Sequence, residues 1–492
     1  MTRIRVLLPI TLTTLGLLAA CAPADRNFNN TGSTGSTTSS TTGSGEGSGG
    51  STTGTDGSGG TNAGGACDPA ISAVPVADTC GVFVDGSKGD DANMPSSKAS
   101  PLKTLGAALA QVQSGGAVYA CAGVSLPGGV VVPAGVKLYG GLDCTNWTHD
   151  PKAPTVITAP ADVVPLTLAG GPGTTQLTDV YVQASPSAMP GGSSIALIAD
   201  GATAVLERLL IVAAKGANGA DGITPTDAIK VGMDGSPGNG TCGVMGMAVP
   251  PGPPVTTVCP NGTSKSGQGG PGFAGTASSS GTPGMPGGIP GCPGGTGAEG
   301  AVGTPGTAGS GLGTVNNKGY LGVAGSTGAE GAPGLGGGGG NGRGLPMCGI
   351  SSYLAFSGGS GGSGGCGGKG GTGGSSGGSS IGLISLNASL TFTSVTIQTG
   401  AGGNGGTGGK GQVGGKGGQG GQSSGCSGGP GGTGGAGGPG GGGTGGHSIG
   451  IAYLGATPPA ATVTFMLGKA GMGGGPQIGM GAPAVSVEVQ AF

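Results

Sequence analysis

Ser380-Ile381-Gly382-Leu383-Ile384, followed about ten residues later by Val395-Thr396-Ile397, is the stretch that decides the architecture. It has two echoes. Ser194-Ile195-Ala196-Leu197-Ile198 leads to Leu209-Leu210-Ile211, and Ser448-Ile449-Gly450-Ile451-Ala452 leads to Val463-Thr464-Phe465. Each copy holds two short apolar runs rich in β-branched residues, and each runs into or out of glycine-rich sequence. One such unit cannot bury its inner face alone; stacking on the next unit does so, which predicts a β-solenoid.

Towards the N-terminus the same texture continues. Gly81 to Asp85, Val118 to Cys121, Val130 to Val132, Val136 to Tyr139, Thr155 to Ile157, Leu166 to Leu168 and Leu177 to Val182 read as short strands bounded by Gly, Pro or Asp. One helix interrupts them. Ser100 is placed as its N-cap and Pro101 at its first position, with Leu102, Leu105, Leu109 and Val112 on one face.

The run Val82-Phe83-Val84, Gly89-Asp90-Asp91-Ala92-Asn93, Pro101-Leu102-Lys103-Thr104-Leu105, Ala108-Leu109 resembles the N-terminal cap of bacterial pectin-lyase-fold proteins. Val136 to Trp147, followed by Pro154-Thr155-Val156-Ile157, is similar to a rung of Gly-rich surface lipoproteins of myxobacterial type. The resemblance covers roughly residues 80 to 215. It implies an all-β fold, a right-handed parallel β-helix with an N-terminal capping helix. Family enzymes are lyases or hydrolases of acidic polysaccharides, and many members have no known activity.

Two long insertions separate the repeated units, 214–379 and 399–447. The first contains Gly-X-Y triplets from Gly288 to Gly309; the second is mostly Gly-Gly-X. Collagen needs long unbroken triplets and three chains. Disorder fits the composition. A third possibility is a bundle of left-handed extended helices with three residues per turn, packed closely through glycine. Six cysteines in these insertions favour order over disorder.

At the other end of the chain, Arg3 and Arg5 precede an apolar run from Val6 to Leu18, which ends in Leu18-Ala19-Ala20-Cys21. This resembles the lipobox of bacterial lipoproteins and implies a signal peptide over 1–20 and lipid on Cys21. Two or three acyl chains anchor stably where one does not. Ala22 follows the cysteine, so the expected location is the outer membrane or cell surface. Residues 21–66, rich in Ser, Thr and Gly, read as a flexible tether. The remaining partition is a cap with rungs over 67–213, a rung over 380–398 and C-terminal rungs over 448–492.

Of 492 residues, 129 are Gly, 8% are charged, and the net charge is −2. That gives no electrostatic case for nucleic acid. Ten cysteines remain beyond Cys21: Cys67, Cys80, Cys121, Cys144, Cys242, Cys259, Cys292, Cys348, Cys366 and Cys426. Disulfides are the expected use in an exported chain. Cys67 with Cys80, Cys121 with Cys144, and Cys242 with Cys259 are guesses from proximity. No Cys-x-x-Cys pair supports a metal site, and no cofactor is expected.

Calcium-binding Gly repeats need regularly spaced Asp, and no Asp follows Asp234. Gly409 to Gly414 matches G-x-G-x-x-G without a strand before it or a helix after it, so nucleotide binding is rejected. Asp85, Asp90, Asp91, Asp143 and Asp200 are further acids such chemistry could draw on; turn hydrogen bonding accounts for Asp90 and Asp91. If the chain is an enzyme, Asp179, Glu207 and Arg208 are the candidates, on neighbouring rungs. The favoured expectation is a non-catalytic structural or adhesive protein, held to the membrane by its lipid and contacting polysaccharide or other surface components.

Overall fold

The computed structural model describes residues 67–69, 74–275, 279–284, 288–345, 348, 352–475 and 479–492. The expected signal peptide over 1–20, Cys21 and the expected tether lie outside the described residues. Three six-stranded parallel sheets dominate. The first contains Gly81–Val84, Ala117–Cys121, Lys137–Leu142, Thr175–Thr178, Thr203–Glu207 and Ser389–Thr393. The second contains Leu126–Pro127, Thr155–Thr158, Val180–Gln183, Leu210–Ala213, Val395–Thr399 and Val463–Met466. The third contains Val130–Val132, Leu166–Ala169, Ser194–Asp200, Ser380–Leu386, Ser448–Leu454 and Ser486–Ala491. From Ala117 to Thr399 the chain visits them in strict rotation.

The core lies inside this rotation. Alternate residues such as Leu138, Leu177, Leu206, Leu168, Leu197, Leu383, Val182, Ile211 and Ile397 are buried together. The three repeated motifs pair in the register the sequence alignment gives: Ser194 with Ser380 with Ser448, and Ile211 with Ile397 with Phe465. Phe83, Tyr119 and Tyr139 stack in a column at 5.4 Å per step, against the edge of Trp147.

Two local expectations need correction. The segment Leu177 to Val182 is two strands in different sheets, because Asp179 adopts φ 55° and turns a corner. The helix is Leu105–Gln111, capped by Thr104, whose hydroxyl accepts from Ala107 N. Ser100 and Pro101 precede it, Ser100 in a bend where its amide donates to Ser97 O. There Leu102 N donates to Phe83 O, Asp85 N donates to Leu102 O, and Asp91 accepts from the amides of Lys103 and Thr104. Those bonds tie residues 102–104 to neighbouring chain, so the helix starts later.

Both glycine-rich insertions leave after a strand of the second sheet and return before a strand of the third, so they emerge from one corner. They form a hydrogen-bonded bundle with a period of three. Gly403, Gly406 and Gly409 donate to Gly378, Ser375 and Thr372. Gly428, Gly431, Gly434 and Gly437 donate to Gly421, Gly418, Gly415 and Gln412, and Gly297, Gly300, Gly303 and Gly306 to Pro430, Thr433, Ala436 and Pro439. Three residues per step is the repeat of the left-handed extended helix. Only glycine permits the approach: a Cβ on Gly431 would lie 2.1 Å from Ser363 O, and one on Gly362 2.1 Å from Gly418 O.

The third residue of each triplet has its own task. Ser357, Ser360 and Ser363 are buried, and their hydroxyls accept from the amides of Asn239, Ser236 and Met233 at 2.7–2.8 Å. These bonds satisfy donors that a bundle without strands would otherwise bury unpaired.

Candidate functional site

Asp179 and Arg208 occupy equivalent single-residue corners between the first and second sheets, one circuit apart. Both have positive φ, 55° and 49°, and Ser394 repeats the conformation at 54° one circuit on. Asp179 N donates to Glu207 O and Arg208 N to Thr393 O, so the corners stack.

The corners bring the three candidate side chains together. Arg208 Nε and Nη2 donate to the two carboxylate oxygens of Asp179, each at 2.8 Å. Arg208 Nη1 also contacts Glu207. His149, which was not among the candidates, adds its Nε2 at 2.8 Å from Asp179 Oδ2. Asp179 is 4% exposed. Hydrogen bonding to Asp179 raises the guanidinium pKa further. His149 is thirty residues from Asp179, and only a loop folding back from Leu142 onto His149 closes that gap. No local spacing could have revealed it.

Chemically, this is an ion-pair network around a buried carboxylate, with the Glu207 side chain 26% exposed at its edge. A general acid or base needs an oxygen free to meet substrate, and both Asp179 oxygens are already occupied. Two surface depressions lie elsewhere. One of about 300 Å³ is lined by Asp162, Met189, Lys318 and Tyr320 among others; one of about 520 Å³ lies between Leu390 and Pro459.

The other acids serve turns. Asp85 Oδ1 accepts from Ser87 N and Lys88 N, and Asp90 Oδ1 from Ala92 N. Asp143 accepts from Thr145 N and Asn146 N, which hold its pKa below the usual range. Asp200 meets Asn317. Among the described residues, Asp85, Cys121 and Cys144 alone gather three potential metal-ligating atoms. The two sulfurs are bonded to each other, which removes them as ligands.

Five disulfides use all ten cysteines. Cys67–Cys80 and Cys121–Cys144 are local. Cys242 pairs with Cys348 rather than Cys259, Cys259 with Cys366, and Cys292 with Cys426. The neighbour guess for Cys242 fails because side-by-side packing of glycine-rich segments brings residues over a hundred apart into contact.

No family model, curated protein or solved structure matches the chain. No helix among the described residues is long and apolar enough to cross a membrane.

Proposed function

We propose that this chain is a lipid-anchored surface protein with a structural and adhesive role, non-catalytic, built on a right-handed parallel β-helix of pectin-lyase type. The observation that carries the reading is the glycine-rich lobe. Segments such as residues 400–422, at ~3.1 Å per residue, reach roughly 65–70 Å from the corner of the three sheets. A long, weakly charged, disulfide-stapled projection suits contact at a distance, and many weak contacts add up through multivalency. Lipid on Cys21 would place that projection at the membrane surface.

The rotation through three parallel sheets, with Leu105–Gln111 over the first turn of the core, supports the β-helix reading. A second reading, a carbohydrate-active enzyme of the same fold, keeps one observation in its favour: Asp179, Glu207 and Arg208 converge. The burial of Asp179 beneath Arg208 and His149 favours the structural role.

The anchor is tested by metabolic labelling with a fatty acid. Label is expected in the native chain and absent from Cys21→Ala; label persisting in that variant would refute lipidation at this residue.

A further inference from the structure

The far end of the lobe differs in chemistry from its flanks. Its segments run together from the sheets to the level where Gly238 N meets Gln422 O and Ser357 N meets Asn239 O. Beyond that level, strands Gly240–Gly243, Tyr353–Phe356 and Arg343–Leu345 form a small antiparallel sheet. Cys242–Cys348 staples it, and Val249, Ala274 and Ala355 make a core of their own under Tyr353. The tip is therefore built, yet it turns apolar side chains outward. Val244 is 74% exposed, Met245 67%, Leu345 44% and Met247 37%. Val244, Met245 and Met247 follow directly on the strand Gly240–Gly243, and Leu345 lies on the other outer strand of the same small sheet.

Charge sharpens the assignment. Asp221, Asp227 and Asp234 lie along the lobe's flank and are tied to Thr407, Lys369 and Gln419 N. Between Asp234 and Glu299 the only charged residue is Lys265, and between Glu330 and Lys369 it is Arg343. The tip thus lies in sequence without a carboxylate, and Arg343 begins one of its strands.

We infer that the tip is a membrane-contacting surface that enters the interface of a bilayer bearing anionic headgroups. Val244, Met245, Met247 and Leu345 meet the acyl boundary while Arg343 meets the phosphates. A protein partner would be expected to find an anchor pocket or a ring of polar contacts. Among the described residues the tip instead offers exposed aliphatic side chains and one guanidinium, which suits a fluid boundary. The inference does not rest on lipidation of Cys21.

The test uses residues 22–492, which keep the whole compact unit from Asn62 to Phe492 and carry neither signal nor lipid. Co-sedimentation is measured with vesicles of phosphatidylcholine alone and of phosphatidylcholine mixed equally with phosphatidylglycerol. Binding is expected to the mixed vesicles, tighter by about fivefold and weakened by salt. Val244→Asp with Met245→Asp should abolish it; Val413→Asp, equally exposed on the flank, should leave it unchanged. Circular dichroism matching the parent keeps the comparison one of surface. Absence of binding to either vesicle overturns the inference, as does binding that survives the double substitution. Self-association that the double substitution removes, without vesicle binding, would also overturn it and reassign the tip to protein contact.

Discussion

Arg208 clamps both oxygens of Asp179 from the next circuit of the chain, at 2.8 Å each, and the two residues share the same left-handed corner conformation. The pair closes a corner that a β-branched residue could not adopt without strain.

Arg208→Ala strands a buried carboxylate beside His149. Stability should fall by about 3 kcal/mol, the lower end for a broken buried pair, because the guanidinium is 31% exposed. Asp179→Val should cost more, since it adds backbone strain; Asp179→Asn, which tolerates the left-handed region, should cost less. Urea unfolding midpoints rank the three.

His447 gives a pH dependence. Its Nδ1 accepts from Val485 N and its Nε2 donates to Leu312 O, both at 3.0 Å, and Tyr320 packs edge-on 5.5 Å away. Burial lowers its pKa. The folded state therefore favours the neutral ring, and the unfolded chain takes up the proton first. Stability is full above about 6.5 and declines as pH falls from there towards the depressed folded value. In His447→Gln the slope of unfolding midpoint between pH 7.5 and 5 should shrink.

Glycine-to-alanine changes should show an unusual sign pattern. Elsewhere such a change often stabilises, by about 0.4–1 kcal/mol through the unfolded chain. At Gly362 or Gly431 the new methyl meets a carbonyl at 2.1 Å, so a loss of about 1–3 kcal/mol is expected. Thr304→Ala, at the exposed position directly after Gly303 in the same bundle, should be near neutral. Thermal melts of the three variants test this.

Opening Cys259–Cys366, which are 107 residues apart, should cost about 5 kcal/mol; opening Cys67–Cys80, 13 apart, about 3. Thiol titration of the denatured, unreduced chain from residue 22 should find no free thiols.

The sheets were legible where the chain repeats itself. Ser194, Ser380 and Ser448 fall into register because stacked strands of equal length need equivalent residues at equivalent corners. A fourth member, Ser486 beside Ser448, was missed: Ser486-Val487-Glu488-Val489 keeps only the serine and the alternation. The corner at Asp179 was invisible because one residue in an unusual φ leaves no run of turn residues behind. Convergence of Asp179, Glu207 and Arg208 was foreseen from neighbouring circuits, whereas His149 arrives from a loop. The bundle's period was readable, but not which segments adjoin, because identical Gly-Gly-X triplets carry no register; Cys259 with Cys366 and Cys292 with Cys426 fix that.

The most direct measurement incubates residues 22–492 with a panel of acidic and neutral polysaccharides, with and without calcium, scoring retention and chain cleavage together. Retention without cleavage, unchanged in folded Asp179→Asn, is the predicted result. Cleavage that Asp179→Asn abolishes while the fold survives would contradict the account and make the corner an active site.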